Sequence, residues 1–317
     1  MVVIAVAGGS GGLGRALVEG IQARGNHEVV VLSRKANPAL EAERGVRFVP
    51  IDYSDVEAAT RVLEENNIHT IVSALSFMPG NGDNYEDRLA LAADASGPTK
   101  RFIASNWALG HPENRIVTCS DPMPIAAAKD RIVDVLRASK TLEYTEVRTG
   151  YFLDYFGMPK VKSYLTPFVI VLDIAHNAAA IPGTGNDRVS FTHTRDVGRY
   201  VAALLDVEKW ETETTVVAET LTWNEFLALA EEVKGTKFEV TYDGPELYNN
   251  GKTGELPTHK QMYPFFPKEM LQGMASAFNL TFVRGIADLS GGVTHNAQLD
   301  EIKPWSAKDV LEMAWKA

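Results

Sequence analysis

Residues 2–7 form an unbroken apolar run that ends in a cluster of glycines, Gly8-Gly9-Ser10-Gly11-Gly12-Leu13-Gly14. Arg15-Ala16-Leu17-Val18 then starts a helical period, so the opening predicts a buried strand, a tight turn and a helix ending near Gly25-Asn26. Short apolar runs return at 28–33, 46–51, 70–75, 101–105 and 143–148. Between them lie helical patterns at 56–66, with Ser54 or Asp55 as cap, at 85–96 and at 126–139. Alternation of buried strands with helices predicts an α/β chain: a Rossmann-type doubly wound parallel sheet over residues 1–150. From Tyr151 the regularity decays under prolines and glycines, and residues 151–317 read as a smaller C-terminal substrate-binding region. Within it, 189–218 is expected to return and pack on the sheet through a helix at 195–205. Further helices are expected at 223–233, capped by Thr222, and at 306–315, with 243–268 as a long loop or lid.

Charge and composition exclude several functions. The formal net charge is -10 and no basic block stands out, which disfavours nucleic acid as a partner. Cys119 is the only cysteine, so no intrachain disulfide forms, as expected of a reducing compartment. The first apolar run is too short and lacks the basic flank of a signal peptide, and 168–172 is too short to span a bilayer, so a cytoplasmic protein with no membrane partner is expected. The histidines are scattered without ligand spacing, and no metal is expected.

The glycines carry the chemistry. Gly8, Gly11 and Gly14 make G-x-x-G-x-x-G, with one glycine for the turn, one for backbone approach to a pyrophosphate and one for close helix-to-strand packing. Ser10 adds a hydroxyl donor, and Gly12 and Leu13 bring backbone N–H groups of the helix start. The same letters fit the G-x-S-x-G nucleophile elbow of hydrolases, but that elbow normally follows several strands, and no Ser, Asp, His order follows here. Ser33, Arg34 and Lys35 end the second strand where an NAD-selective chain carries an acid, so they point to NADPH/NADP, with two solvated loop cations as the alternative. Asp52, after the third strand, is an adenine-side contact or a turn residue. Ala74, Leu75 and Ser76 end the fourth strand beside the nicotinamide half of the crevice, where Phe77 and Met78 either cover the ring or simply pack. Ser105, Asn106 and Trp107 end the fifth strand, and Tyr151, Phe152, Tyr155 and Phe156 cluster as hydrophobic substrate contacts.

With these residues in place, the chain resembles the isoflavone reductase-like and NmrA-like branch of the short-chain dehydrogenase/reductase superfamily. The resemblance rests on the glycine motif, Arg34, the run Arg101-Phe102-Ile103-Ala104-Ser105-Asn106, Lys129, the run from Tyr144 to Phe152, and Phe191-Thr192-His193-Thr194-Arg195-Asp196-Val197-Gly198. It implies an NADPH-dependent reductase of a hydrophobic, aromatic or polycyclic small molecule, a monomer or homodimer, with Lys129 as proton donor or orienting group and a further cofactor contact. Read alone, a lysine in a first helical turn is a solvated charge, mildly unfavourable against the helix dipole. Ile125 stands where the tyrosine of Y-x-x-x-K would be, Asn106 where many members have glutamate, and Thr149 where many have proline. A dinucleotide-sensing regulator without turnover, or a non-redox isomerase or cyclase, are the alternatives on the same fold.

Overall fold

The computed structural model describes residues 1–75, 85–108, 124–291, 295, 299 and 301–316, and for 108 and 124–130 the backbone alone. The first half runs β1 (Val3–Ala7), α1 (Gly12–Arg24), β2 (Glu28–Ser33), α2 (Pro38–Arg44), β3 (Arg47–Pro50), α3 (Val56–Glu65), β4 (Ile68–Ser73), α4 (Tyr85–Ala95), β5 (Arg101–Ala108), α5 (Pro124–Ala138) and β6 (Glu143–Arg148). There follow β7 (Tyr151–Phe152), α6 (Asp154–Gly157), β8 (Leu172–Asp173), β9 (Ala178–Pro182), β10 (Arg188–Thr192), α7 (Thr194–Leu204), β11 (Glu213–Thr215) and β12 (Glu219–Thr222). The chain ends with α8 (Trp223–Lys234), β13 (Glu239–Asp243), α9 (Pro245–Asn249), α10 (His259–Met262), α11 (Lys268–Val283) and α12 (Ala307–Trp315).

Among the described residues a seven-stranded parallel sheet has the order β3-β2-β1-β4-β5-β6-β11. Its strands are apolar on both faces because both are covered. Ile4, Val6, Val31, Val72, Ile103 and Val147 share a core with Leu17 and Ile21 of α1 and Val201 and Leu204 of α7. Their neighbours Ala5, Val30, Leu32, Ile71 and Phe102 share the opposite core with Leu63, Leu89, Ile132 and Leu136. On the first face α1 and α7 meet backbone to backbone: a Cβ on Gly20 would stand 2.3 Å from the Gly198 carbonyl oxygen.

Two three-stranded sheets, β12-β10-β7 and β13-β9-β8, make the second region. Its core is aromatic, with Phe191, Trp223, Phe226 and Phe282 fully buried. Thr222 caps α8 in a reciprocal box with Glu225. Residues 243–268 are mostly irregular, as expected of a long loop, but carry two short helices and are tied down. The Asp243 carboxylate accepts from Gly254 N at 2.6 Å, Asp173 accepts from Thr258 N at 2.8 Å, and buried His259 places Nε2 2.9 Å from the Val169 carbonyl. These buried polar anchors, with α9 and α10, pin the segment onto the second region. Helix α11 carries Gly273, Asn279 and Thr281, poor helix formers that veil it in the sequence, while Leu271, Ala275 and Phe282 turn one side into the aromatic core. No helix of the described residues is long and apolar enough to cross a membrane.

Candidate dinucleotide site

The strand order reverses between β1 and β4, and there the glycine turn leaves the sheet. Gly8 has φ 78°, and a Cβ on it would meet the Ala74 carbonyl oxygen at 2.6 Å. A Cβ on Gly14 would stand 2.2 Å from the Gly8 carbonyl oxygen, so α1 presses directly on the turn. Around Gly11 the space is open, with nothing within 4 Å of where a Cβ would lie. Gly11 also caps α1 without any side-chain acceptor, and the first turn holds no acid. A helix start so left has N–H groups and a positive dipole end available to an anion. From the other side Arg44 braces the turn, Nη1 donating to the Ser10 carbonyl at 2.9 Å.

Beside the turn lies a cavity of about 720 Å³, bordered by Gly8, Ser10, Ser33, Arg34, Lys35 and Leu75 among others. Ser33 Oγ donates to the Lys35 carbonyl at 2.6 Å, which tightens the strand end and leaves both exposed cations at the rim. Among the described residues no carboxylate lines it. Its other end is aromatic: Tyr53 and Tyr85 meet at 6.3 Å between ring centroids, near Leu40 and Phe48. Tyr53 Oη donates to the Leu32 carbonyl at 3.0 Å, and burial pushes the phenol above its ordinary range, so it stays a protonated donor and its ring is fixed. The cavity therefore offers a flat apolar corner for a ring and two cations for a phosphate, next to an uncapped helix start.

The NmrA-like family model matches residues 2–300. The chain belongs to the NmrA-like family. It is 35% identical over 306 residues to oxidoreductase BOA1 of Botryotinia fuckeliana, covering 96% of each chain, and 30% identical over 336 residues to oxidoreductase swnN of Metarhizium robertsii, covering 99% and 98%. The solved structure of AtPrR2 with NADP+ and (+)pinoresinol has TM-score 0.73 at 20% identity, covering 98% of both chains. By relationship to its full-length relatives this NmrA-like chain is an oxidoreductase.

In this family member the expected contacts divide. Gly8, Ser10, Ser33, Arg34, Lys35 and Leu75 border one cavity, while Gly11, Gly12, Leu13 and Gly14 form the adjoining helix start. Asp52 does not border it: Ser54 donates to its carboxylate from N at 2.8 Å and Oγ at 2.6 Å, bonds that lower its pKa, and it is a turn residue. Ala74 backs Gly8, its N–H bonded to the Ala7 carbonyl. Ser105 Oγ donates to the Leu75 carbonyl at 2.9 Å. Asn106 is buried with Nδ2 on the Glu146 carboxylate, which also takes Arg148 Nη2 at 3.0 Å, so this amide is committed inside the sheet.

The aromatic cluster is also corrected. Tyr151 and Phe156 are core residues, and half-buried Tyr155 packs on the same core, its ring 5.3 Å from that of Tyr151. Phe152 points the other way, as the alternation of β7 requires, and packs with half-buried Trp107 against the sheet. Trp107 Nε1 donates to the Ser73 carbonyl at 3.1 Å. Ser76, Phe77 and Met78 lie outside the described residues, as does the side chain of Lys129, whose backbone is in α5. Tyr53, Tyr85 and Arg44 were missed. For Arg44 a signal existed, since Asn37-Pro38 is a cap followed by proline at the first helical position, and α2 indeed starts there.

Proposed function

We propose that the protein is an NADPH-dependent reductase of a hydrophobic, aromatic or polycyclic small molecule. The observation that carries the reading is the cavity beside the glycine turn, with Arg34 and Lys35 at its rim and no carboxylate among the described residues of its wall. A ribose 2′-hydroxyl is held by an acid at this position, a 2′-phosphate by cations. The NADP+ and pinoresinol in the AtPrR2 structure support the cofactor and the aromatic substrate.

When bound, NADPH supplies hydride from nicotinamide C4. The chain's own part is to bind, orient and exclude water. The α1 start and the open backbone at Gly11 would hold the pyrophosphate, Arg34 with Lys35 would hold the 2′-phosphate, and Tyr53 and Tyr85 would offer the apolar corner to the adenine. Trp107 and Phe152, half-buried against the sheet, supply the apolar surface that keeps water from the reacting carbon. Lys129 holds or donates a proton at the substrate oxygen.

Replacing Lys129 by alanine tests this. NADPH affinity is expected to persist while consumption of NADPH with a panel of aromatic ketones and quinones falls by about a hundredfold or more. Unchanged turnover removes the lysine from the mechanism. No turnover by the unmutated protein, together with stoichiometric capture of a protein partner, makes it a dinucleotide-sensing regulator instead.

A further inference from the structure

A second cavity of about 450 Å³ lies over the seam of α1 and α7 and shares no lining residue with the dinucleotide cavity. Its small-residue floor includes Ala16, Gly20 and Ala23, and its walls come from residues 162–164, the start of α7 and Trp305. We infer that it is a binding site for a small organic acid, held by its carboxylate between His193, Arg195 and Arg199.

The donors are in place and under-used. Arg195 and Arg199 each donate Nη1 to the same oxygen, Asp196 Oδ1, at 2.9 Å, so two guanidiniums share one buried carboxylate. That carboxylate also takes Trp305 N at 2.8 Å on its other oxygen. Arg199 Nη1 reaches the Lys303 carbonyl as well, yet Nε and Nη2 of both arginines meet no acceptor among the described residues. The Arg195 guanidinium carbon stands over the Trp305 ring, 4.2 Å from its centroid, which helps to hold the fork in place. A planar fork matches a carboxylate.

His193 is the second, independent observation. It borders the cavity at 1% exposure, and its Nδ1 accepts from Arg195 N at 3.1 Å, which leaves the proton on Nε2. That Nε2 has no hydrogen-bond partner. The Asp154 carboxylate stands off at 3.7 Å, being occupied by Thr194 N, Thr194 Oγ1 and Ser163 Oγ at 2.8, 2.6 and 2.5 Å. A buried donor without a partner is costly, and an acceptor entering from the cavity would satisfy it. Burial holds the imidazole below its usual pKa against the pull of Asp154 and Asp196, so at neutral pH it meets the ligand as a neutral donor. The facing wall carries Lys162, paired with Glu19 at 3.3 Å, which adds no net charge. The volume far exceeds an inorganic oxyanion, and the small-residue floor suits a flat apolar body behind the acid group.

The site does not depend on the reductase reading, and its test is separate. Benzoate and benzamide, the same body with and without the charge, are titrated calorimetrically into the full chain with saturating NADPH present. Benzoate is expected to bind and benzamide to bind at least about tenfold more weakly. Arg199→Gln is expected to weaken benzoate about tenfold or more, with NADPH affinity unchanged as the control for folding. In the unmutated chain, nitrogen NMR of labelled histidine should show the His193 Nε2 signal moving with benzoate alone, a readout that needs no variant. No benzoate binding, equal binding of benzamide, undiminished binding to Arg199→Gln, or an unmoved His193 signal would each overturn the assignment.

Discussion

In the parallel-sheet region the paired rings of Tyr53 and Tyr85 stand at the edge of a cavity, whereas in the second region a cluster of aromatic rings fills the interior. Tyr53 and Tyr85 border open space beyond the strand ends, and the cores beneath them are mostly aliphatic and alanine-rich, with Ala5, Ala7, Ala90, Ala92, Ala93 and Ala104 fully buried. In the second region Tyr151, Phe156, Phe191, Trp223, Phe226 and Phe282 pack edge and face against one another. The difference follows from the sheets. A large parallel sheet buries whole faces under helices, so small and branched residues suffice, and its crevice is left by the reversal of strand order. Two sheets of three short strands offer little area, and large rings supply the volume. An aromatic cluster thus marks a core where strands are short, and marks a site where topology leaves a crevice.

The contrast can be broken by substitution, and the largest effect is expected in the second region. Phe191→Ala should cost about 3–5 kcal/mol of stability, read by denaturant unfolding, with the dinucleotide affinity of the folded fraction unchanged. Gly14→Ala comes next: its Cβ meets backbone rather than a movable side chain, so a loss of about 2–3 kcal/mol is expected, along with weakened binding of NADPH and NADH alike. Arg34→Ala should leave stability intact and weaken NADPH by about ten- to a hundredfold while barely moving NADH, measured by fluorescence titration of both cofactors. Equal affinities of the unmutated protein for the two cofactors would make Arg34 an ordinary surface cation. The smallest effect is expected for Tyr85→Ala, a loss of about 1 kcal/mol in the binding of either cofactor with stability changed by less than about 0.5 kcal/mol. A large loss of stability there would place Tyr85 with the core rings and erase the contrast.

Much of the first region was legible because its signals are local. The strand at 28–33 and the strand at 143–148 coincide with β2 and β6, the glycine turn lies where the residues place it, and of the two caps offered for α3 Asp55 is the one used; in the second region the Thr222 cap of α8 is likewise as read. Each depends on neighbours a few residues away. Asp52 was ambiguous because a carboxylate after a strand serves a ligand or its own turn equally well, and only the position of Ser54 decides. The aromatic run from Tyr151 misled for a related reason: large apolar residues line pockets and fill cores with the same composition.

By itself the sequence determined the alternation of buried strands and helices, the glycine turn, the cations after β2 and the family, because period, turn chemistry and motif spacing are properties of short stretches. Tertiary structure alone decided that Arg44 reaches the turn from α2, that Tyr53 and Tyr85 meet across one cavity, that Asn106 is spent on Glu146, and that the start of α7 shares a second cavity with α1. Those relations join residues about 30 to 40 positions apart, or helices whose approach depends on glycines far apart in the chain, Gly20 and Gly198. No local pattern encodes such a meeting, since it is fixed by how covered faces pack and which polar groups remain to be satisfied when they do.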